Sequence, residues 1–263
     1  MRMHGWFGVA VLGAVLAPAA VGQAAERPAR LTFDVATIRL HDPSQPGGGI
    51  KAIDGGHGYT AVGVPVKLMI ALMYKVPVRQ IKGGPDWMEK DNYDVEARVD
   101  GKWSLDDLHI MFQNLLEDRF GLKFHIETKD GPAYALTIDP AGSKMKVNET
   151  EQDYKIPMIP SGIADFTGTR VPMSYLAWFL GQALQQENRP VIDETGLKGF
   201  YDFKLQFLPI LPPDVTLDKL PPEVQNRPAL ADAVRDQLGL RLTKQNGPVP
   251  YYVIDKLERP SVD

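Results

Sequence analysis

The residues in this chain best placed to do chemistry sit in the string Val191-Ile192-Asp193-Glu194-Thr195-Gly196-Leu197-Lys198-Gly199-Phe200-Tyr201-Asp202-Phe203. Asp193, Thr195 and Asp202 could form a small polar site, with Gly196 and Gly199 letting a ligand approach the backbone. The same letters also spell a tight turn, in which Asp and Thr side chains bond nearby backbone and glycines take positive φ. The turn is the preferred reading, because Gly83-Gly84-Pro85-Asp86 stands at the corresponding place earlier in the chain. Ser143-Lys144-Met145-Lys146 has the S-x-x-K form of penicillin-recognising enzymes but lacks the S-D-N and K-T-G companions that chemistry needs. It is read as coincidence.

Other constellations are equally incomplete. Beyond His4, the histidines are His41, His57, His109 and His125, none at H-E-x-x-H or H-x-H spacing, so no metal site is expected. The absence of cysteine removes thiol nucleophiles and thiolate ligands. Carboxylates are plentiful, yet glycosidase chemistry depends on a separation that spacing does not reveal. The glycine-dense stretch 47–58 lacks both the Lys-Ser/Thr that follows a phosphate loop and a G-x-G-x-x-G helix start. Among the aromatics, Tyr93, Tyr201 and Trp178 fall at core positions, whereas Trp87 and Trp103 lie beside turns and are the better candidates for contacting a ligand or partner.

The elements that must position these residues come in a doubled series. Val64-Pro65, Tyr93-Asp94-Val95, Gly121-Leu122-Lys123 and Pro132-x-Tyr134 are followed, in the same order, by Val171-Pro172, Tyr201-Asp202-Phe203, Gly239-Leu240-Arg241 and Pro250-x-Tyr252. The offset is 107 for Val64, 108 for Tyr93 and 118 for Gly121 and Pro132. A proline-rich insertion at 208–222 accounts for the increase. Such self-similarity predicts a repeated fold. Each copy reads β-α-β-β-α-β-β, with Pro65 opening an apolar helix, Ser104 capping a second helix, and Gly121 ending it. Hairpins are expected across Asp130-Gly131 and between 240–244 and 251–257. The fold class is therefore α+β: two tandem pseudo-repeated domains, 26–150 and 151–263, with helices packed on small mixed sheets.

Arg2 and His4 precede an apolar run from Trp6 to Val21, followed by the small residues Gly22, Ala24 and Ala25. That is the layout of a signal peptide over 1–25, too short for a span of roughly 20 apolar residues. Export to the periplasm or beyond is expected, with no membrane span in the mature chain. With Lys plus Arg at 29 against Asp plus Glu at 33, the net charge is −4 and no basic stripe suggests nucleic acid. No cofactor is expected.

Together the strings F-D-V-A-T-I-R, Q-I-K-G-G-P-D-W, Y-D-V-E-A, L-L-E-D-R-F-G-L-K-F-H and R-P-V-I-D-E-T-G-L-K-G-F-Y-D-F-K-L resemble the "soil-associated" family of exported bacterial proteins of unknown function, from Thr32 to Leu257. Some members are fused to membrane-bound sensor metallopeptidases, which implies an extracytoplasmic sensing or interaction role. The H-E-x-x-H string is missing here, so no peptidase activity carries over. Each copy also resembles in topology, and the second copy in V-P-x-x-x-L at Val171 to Leu176, the short N-terminal signalling domain of secretins and TonB-dependent receptors. The functional expectation is a non-enzymatic exported module binding a protein, peptide or envelope component. The alternatives are a hydrolase using Asp94, Asp193 or Asp202 between the copies, and a small-ligand sensor with an apolar pocket there.

Overall fold

The computed structural model describes residues 30–150, 156–184, 187, 189–211 and 215–260. The signal peptide expected over 1–25 lies outside the described residues. An antiparallel sheet comes first, built from β1 (Val35–Leu40), β2 (Gly49–Ala52), β3 (Gly58–Pro65) and β5 (Asn92–Arg98) in the order β1-β5-β3-β2. In β5 the alternation is complete: Tyr93, Val95 and Ala97 are buried while Asn92, Glu96 and Arg98 face out. That pattern fixes which face of the sheet meets the helices.

Three helices lie against it. α1 (Val66–Met73) starts immediately after Pro65 and is largely buried, as its apolar sequence requires. The four-residue α2 (Trp87–Lys90) precedes β5. α3 (Leu105–Phe120) is capped by Ser104, whose Oγ accepts from the Asp107 N–H at 3.0 Å, and ends at Gly121 with φ 61.

A second sheet has the same plan: β7 (Lys146–Val147), β8 (Met158–Gly162), β9 (Asp165–Val171) and β11 (Tyr201–Gln206), in the order β7-β11-β9-β8. Its helices are α4 (Met173–Ala183), the short α5 (Pro222–Gln225), and α6 (Leu230–Ala233), which continues as a π-turn to Leu238. The residues thus form an α+β fold, as the pattern of strands and single helices implies.

The third sheet departs from the sequence expectation. Instead of two hairpins, β6 (Lys123–Ile138) and β12 (Leu240–Lys256) each run straight through and pair with one another, antiparallel, from Leu240↔Ile138 to Lys256↔Lys123. An Asp-Gly hairpin needs its glycine at positive φ. Neither Gly131 nor Gly247 takes one, so the chain stays extended through both sites. The ladder centres on Asp130↔Pro248. Short strands flank it at opposite edges and opposite ends: β4 (Ile81–Gly83) runs parallel to β12 at Tyr252, and β10 (Val191–Asp193) runs parallel to β6 at Tyr134.

These pairings explain the repeated Pro-x-Tyr string. Side-by-side residues in a strand alternate in direction, so Pro132 presents its nitrogen to the same edge as Tyr134. The Tyr134 N–H donates outward to the Pro190 carbonyl at 2.8 Å, whereas proline has nothing to donate. The outer edge is therefore closed to further strands at the proline and picks up its neighbour at the tyrosine.

The core sits in two clusters, and each is completed by a strand from the other half of the sequence. The first cluster contains Met69, Ile70, Phe112, Leu116 and Phe120, and it also takes in Ile254 and Leu257. The second contains Leu176, Leu180, Val234 and Leu238 together with Tyr134 and Leu136. From Leu31 onward the described residues consequently pack as one compact unit.

Candidate functional site: a pocket between the two halves

The five residues singled out by sequence occupy four separate places. Asp193 Oδ1 accepts from the Thr195 N–H at 3.0 Å and from the Thr195 hydroxyl at 2.7 Å, and Thr195 Oγ1 accepts from the Leu197 N–H at 3.1 Å. This is a nested turn that occupies both side chains.

Asp202 serves a bulge. Arg170, at φ 50, interrupts β9 where it pairs with β11, and its N–H donates to Asp202 Oδ1 at 2.9 Å, while Asn148 Nδ2 reaches the same carboxylate at 2.9 Å. Asp94 does the same for Gly63 in the first sheet. There the Gly63 N–H, at φ 66, donates at 2.9 Å, His41 Nδ1 lies at 2.7 Å and Arg39 Nε at 3.2 Å. Burial alone would raise the Asp94 carboxyl, but the bonds from Gly63, His41 and Arg39 outweigh it and leave the pKa lowered.

Trp87 is half-buried against the first core, with Arg259 5.2 Å above its ring and Asp91 anchoring that guanidinium at 2.9 Å. Trp103 packs on the same core and donates from its indole nitrogen to the Asp100 carbonyl at 2.8 Å. Tyr93 and Tyr201 are buried, as expected of core positions.

The cavity with the most usable chemistry lies elsewhere, where the halves meet. It has a volume of about 480 Å³, within the range of small-ligand sites. Lys75, Pro77 and Gln80 come from the segment after α1, and Trp178 and Gly181 from α4. The floor includes Thr128 of β6 with Pro248, Pro250 and Tyr252 of β12, and Pro190 with strand β10 closes one side.

Two polar side chains in this wall are unusual. Gln80 is only 4% exposed, and its Nε2 has no hydrogen-bond partner. The indole nitrogen of Trp178 is likewise buried without one. A buried donor left unpaired costs about 1–3 kcal/mol, so such groups are rare unless something else uses them. The charged residues in the lining are Lys75 and Asp193, and both are engaged: Lys75 Nζ meets Asp106 at 2.9 Å, and Asp193 holds its turn.

A small neighbouring slot of about 50 Å³ shares Lys75 and is lined also by His109, Arg170 and Tyr175. His109 Nε2 lies 2.9 Å from the Tyr59 hydroxyl, and its Nδ1 is unpartnered. Burial, reinforced by the Lys75 charge, pushes the imidazole down to about 4. It is a neutral, enclosed ring at neutral pH.

Sequence reasoning passed over Gln80 and treated Trp178 as ordinary core. Residues 67–257 match the model of a family described as a protein of unknown function, DUF3738. The chain belongs to that family. The match spans every residue that lines the 480 Å³ pocket, from Lys75 to Tyr252. No curated protein and no solved structure matches the chain. Among the described residues no helix is long and apolar enough to cross a membrane.

Proposed function

We propose that this DUF3738 protein is an exported, non-enzymatic binding module whose ligand seat is the pocket between its two halves. One observation carries the reading: a cavity of about 480 Å³ built by both halves, whose wall holds two buried donors with no partner, Gln80 Nε2 and Trp178 Nε1. Export rests on the layout of residues 1–25, and an envelope sensing role on the soil-associated resemblance. Descent from a duplicated unit, with domains near 26–150 and 151–263, is part of the same reading. It is supported by the matched sheet orders, by the bulge carboxylates Asp94 and Asp202, and by the 118-residue offset that relates Tyr134 to Tyr252.

Binding in the pocket is favoured over strand addition because Pro132, Pro248 and Pro250 remove donors from the outer edges of the long ladder. A hydrolase would want a carboxyl with a raised pKa in the cleft. Asp94 is lowered and tied to a bulge, Asp202 caps another, and Asp193 is spent on a turn, so that alternative has no observation in its favour.

The test is a proton–nitrogen spectrum of the tryptophan indoles during titration with N-methylpyrrolidone, a neutral carbonyl probe. The Trp178 signal should move and saturate while that of Trp103, already bonded to Asp100, stays in place. A Trp178 signal indifferent to the probe would sink the reading.

A further inference from the structure

We infer that the pocket takes a proline-rich extended segment of another polypeptide, an inference that rests on the binding reading above. The first argument is complementarity. An indole N–H can only donate, and the buried Gln80 amide nitrogen donates too, so the wall asks for a ligand rich in acceptors. Of its two charged residues, Lys75 is paired with Asp106 and Asp193 is held in its own turn by Thr195, so it asks for a neutral one. A polyproline II segment meets both demands, because its carbonyls are unbonded while its prolines carry no N–H. The lining supplies the surfaces that such segments favour, with the rings of Trp178 and Tyr252 beside Pro77, Pro190, Pro248 and Pro250.

The second argument is internal to the chain. A pocket of about 280 Å³ in the second half is lined by Leu184 and Tyr134. These stand 108 and 118 residues from Val76 and Tyr252, which line the larger pocket, and so match the offsets of the doubled series. In the second half Leu208, Pro209 and Ile210, the start of the chain's own proline-rich insertion, line the same cavity as that wall. The first half has no such insertion, and there the equivalent wall opens into the larger pocket. The chain's own proline-rich segment thus stands opposite the counterpart of the wall that the larger pocket leaves open.

The experiment titrates the whole chain with a capped synthetic Leu-Pro-Ile-Leu-Pro-Pro peptide, copied from the insertion, and with its proline-to-alanine counterpart. Calorimetry should show saturable binding of the first and not the second, and the Trp178 indole signal should shift. Trp178→Phe, which keeps a ring and removes the donor, should weaken binding about tenfold. Gln80→Met, close to isosteric and relieved of a buried unpaired amide, should weaken it as well with no loss of melting temperature. Equal binding of the alanine peptide overturns the inference. So does a Trp178 signal that answers N-methylpyrrolidone but not the proline peptide, which leaves the general binding reading standing. A signal that answers neither removes both.

Discussion

At the scale of single residues, the polar groups of this protein divide into those with a local task and those whose burial comes from distant chain. The Asp193–Thr195 turn belongs to the first kind, and its letters already spelled it, because Asx and Thr bonds reach only two residues along the backbone. Gln80 and His109 belong to the second. A glutamine after a proline turn and a histidine in the first turns of a helix look like surface residues, and nothing in neighbouring sequence says that the other half will cover them. His109 gives this a measurable consequence. Its folded pKa of about 4 lies below the ordinary 6.5, so between these values the unfolded chain binds a proton that the folded chain refuses. Stability from this group is therefore intact above about pH 6.5, falls as pH drops toward 4, and changes no further below it. Lys75 adds to the depression and Asp106 opposes it. The total is roughly 3 kcal/mol at 1.36 kcal/mol per unit. In His109→Gln, which retains a hydrogen-bonding group for Tyr59, the melting temperature measured across that window should fall less steeply than in the parent. Parallel pH profiles would show that His109 is not the sensitive group.

At the scale of elements, most of the architecture was legible where the signal is local. The Ser104 cap and the glycine stop at Gly121 appear as read, and Gly239, the counterpart of Gly121 in the doubled series, ends its own helical segment in the same left-handed way. The hairpins were misread for a physical reason: extended pattern and turn letters do not say which strand a strand will choose, and β6 and β12 chose each other. The two glycine stops also differ in a way that only packing reveals. Both are left-handed, at φ 61 and 67, so alanine is strained at either. At Gly121 a Cβ would meet the end of the Glu258 side chain at 3.2 Å, which can swing away. At Gly239 it would overlap the Gly142 carbonyl and approach the Lys144 nitrogen at 2.8 Å, in the loop where Lys144 N–H donates to Leu238. Gly121→Ala should therefore cost about 1 kcal/mol, and Gly239→Ala several times that, because backbone must move. Urea denaturation of the two variants measures the difference, and equal losses would contradict this account of the Gly239 contact.

At the scale of the whole molecule, the exchange of strands makes the two cores depend on one another. Leu136 lies in β6, encoded in the first half, and is fully buried in the second core. Ile254 lies in β12, encoded in the second half, and is buried in the first. Melting either core would strip the shared ladder of one strand's packing and so expose the other. Two pseudo-equivalent units joined by a flexible linker would unfold in separate steps, whereas these should unfold in one. The pocket inherits the same coupling, since its floor is the middle of the ladder and its walls come from both halves. Leu136→Ala tests the coupling directly. It should cost about 2–5 kcal/mol, as for other buried leucines. Calorimetry should show a single transition moved down as a whole, with near-ultraviolet signals from Trp87 and Trp103 at the first core lost at the same temperature as that of Trp178 in α4. A transition that splits, leaving the first core's tryptophans ordered after the second has melted, would mean that the ladder joins two independent folds instead of making them one.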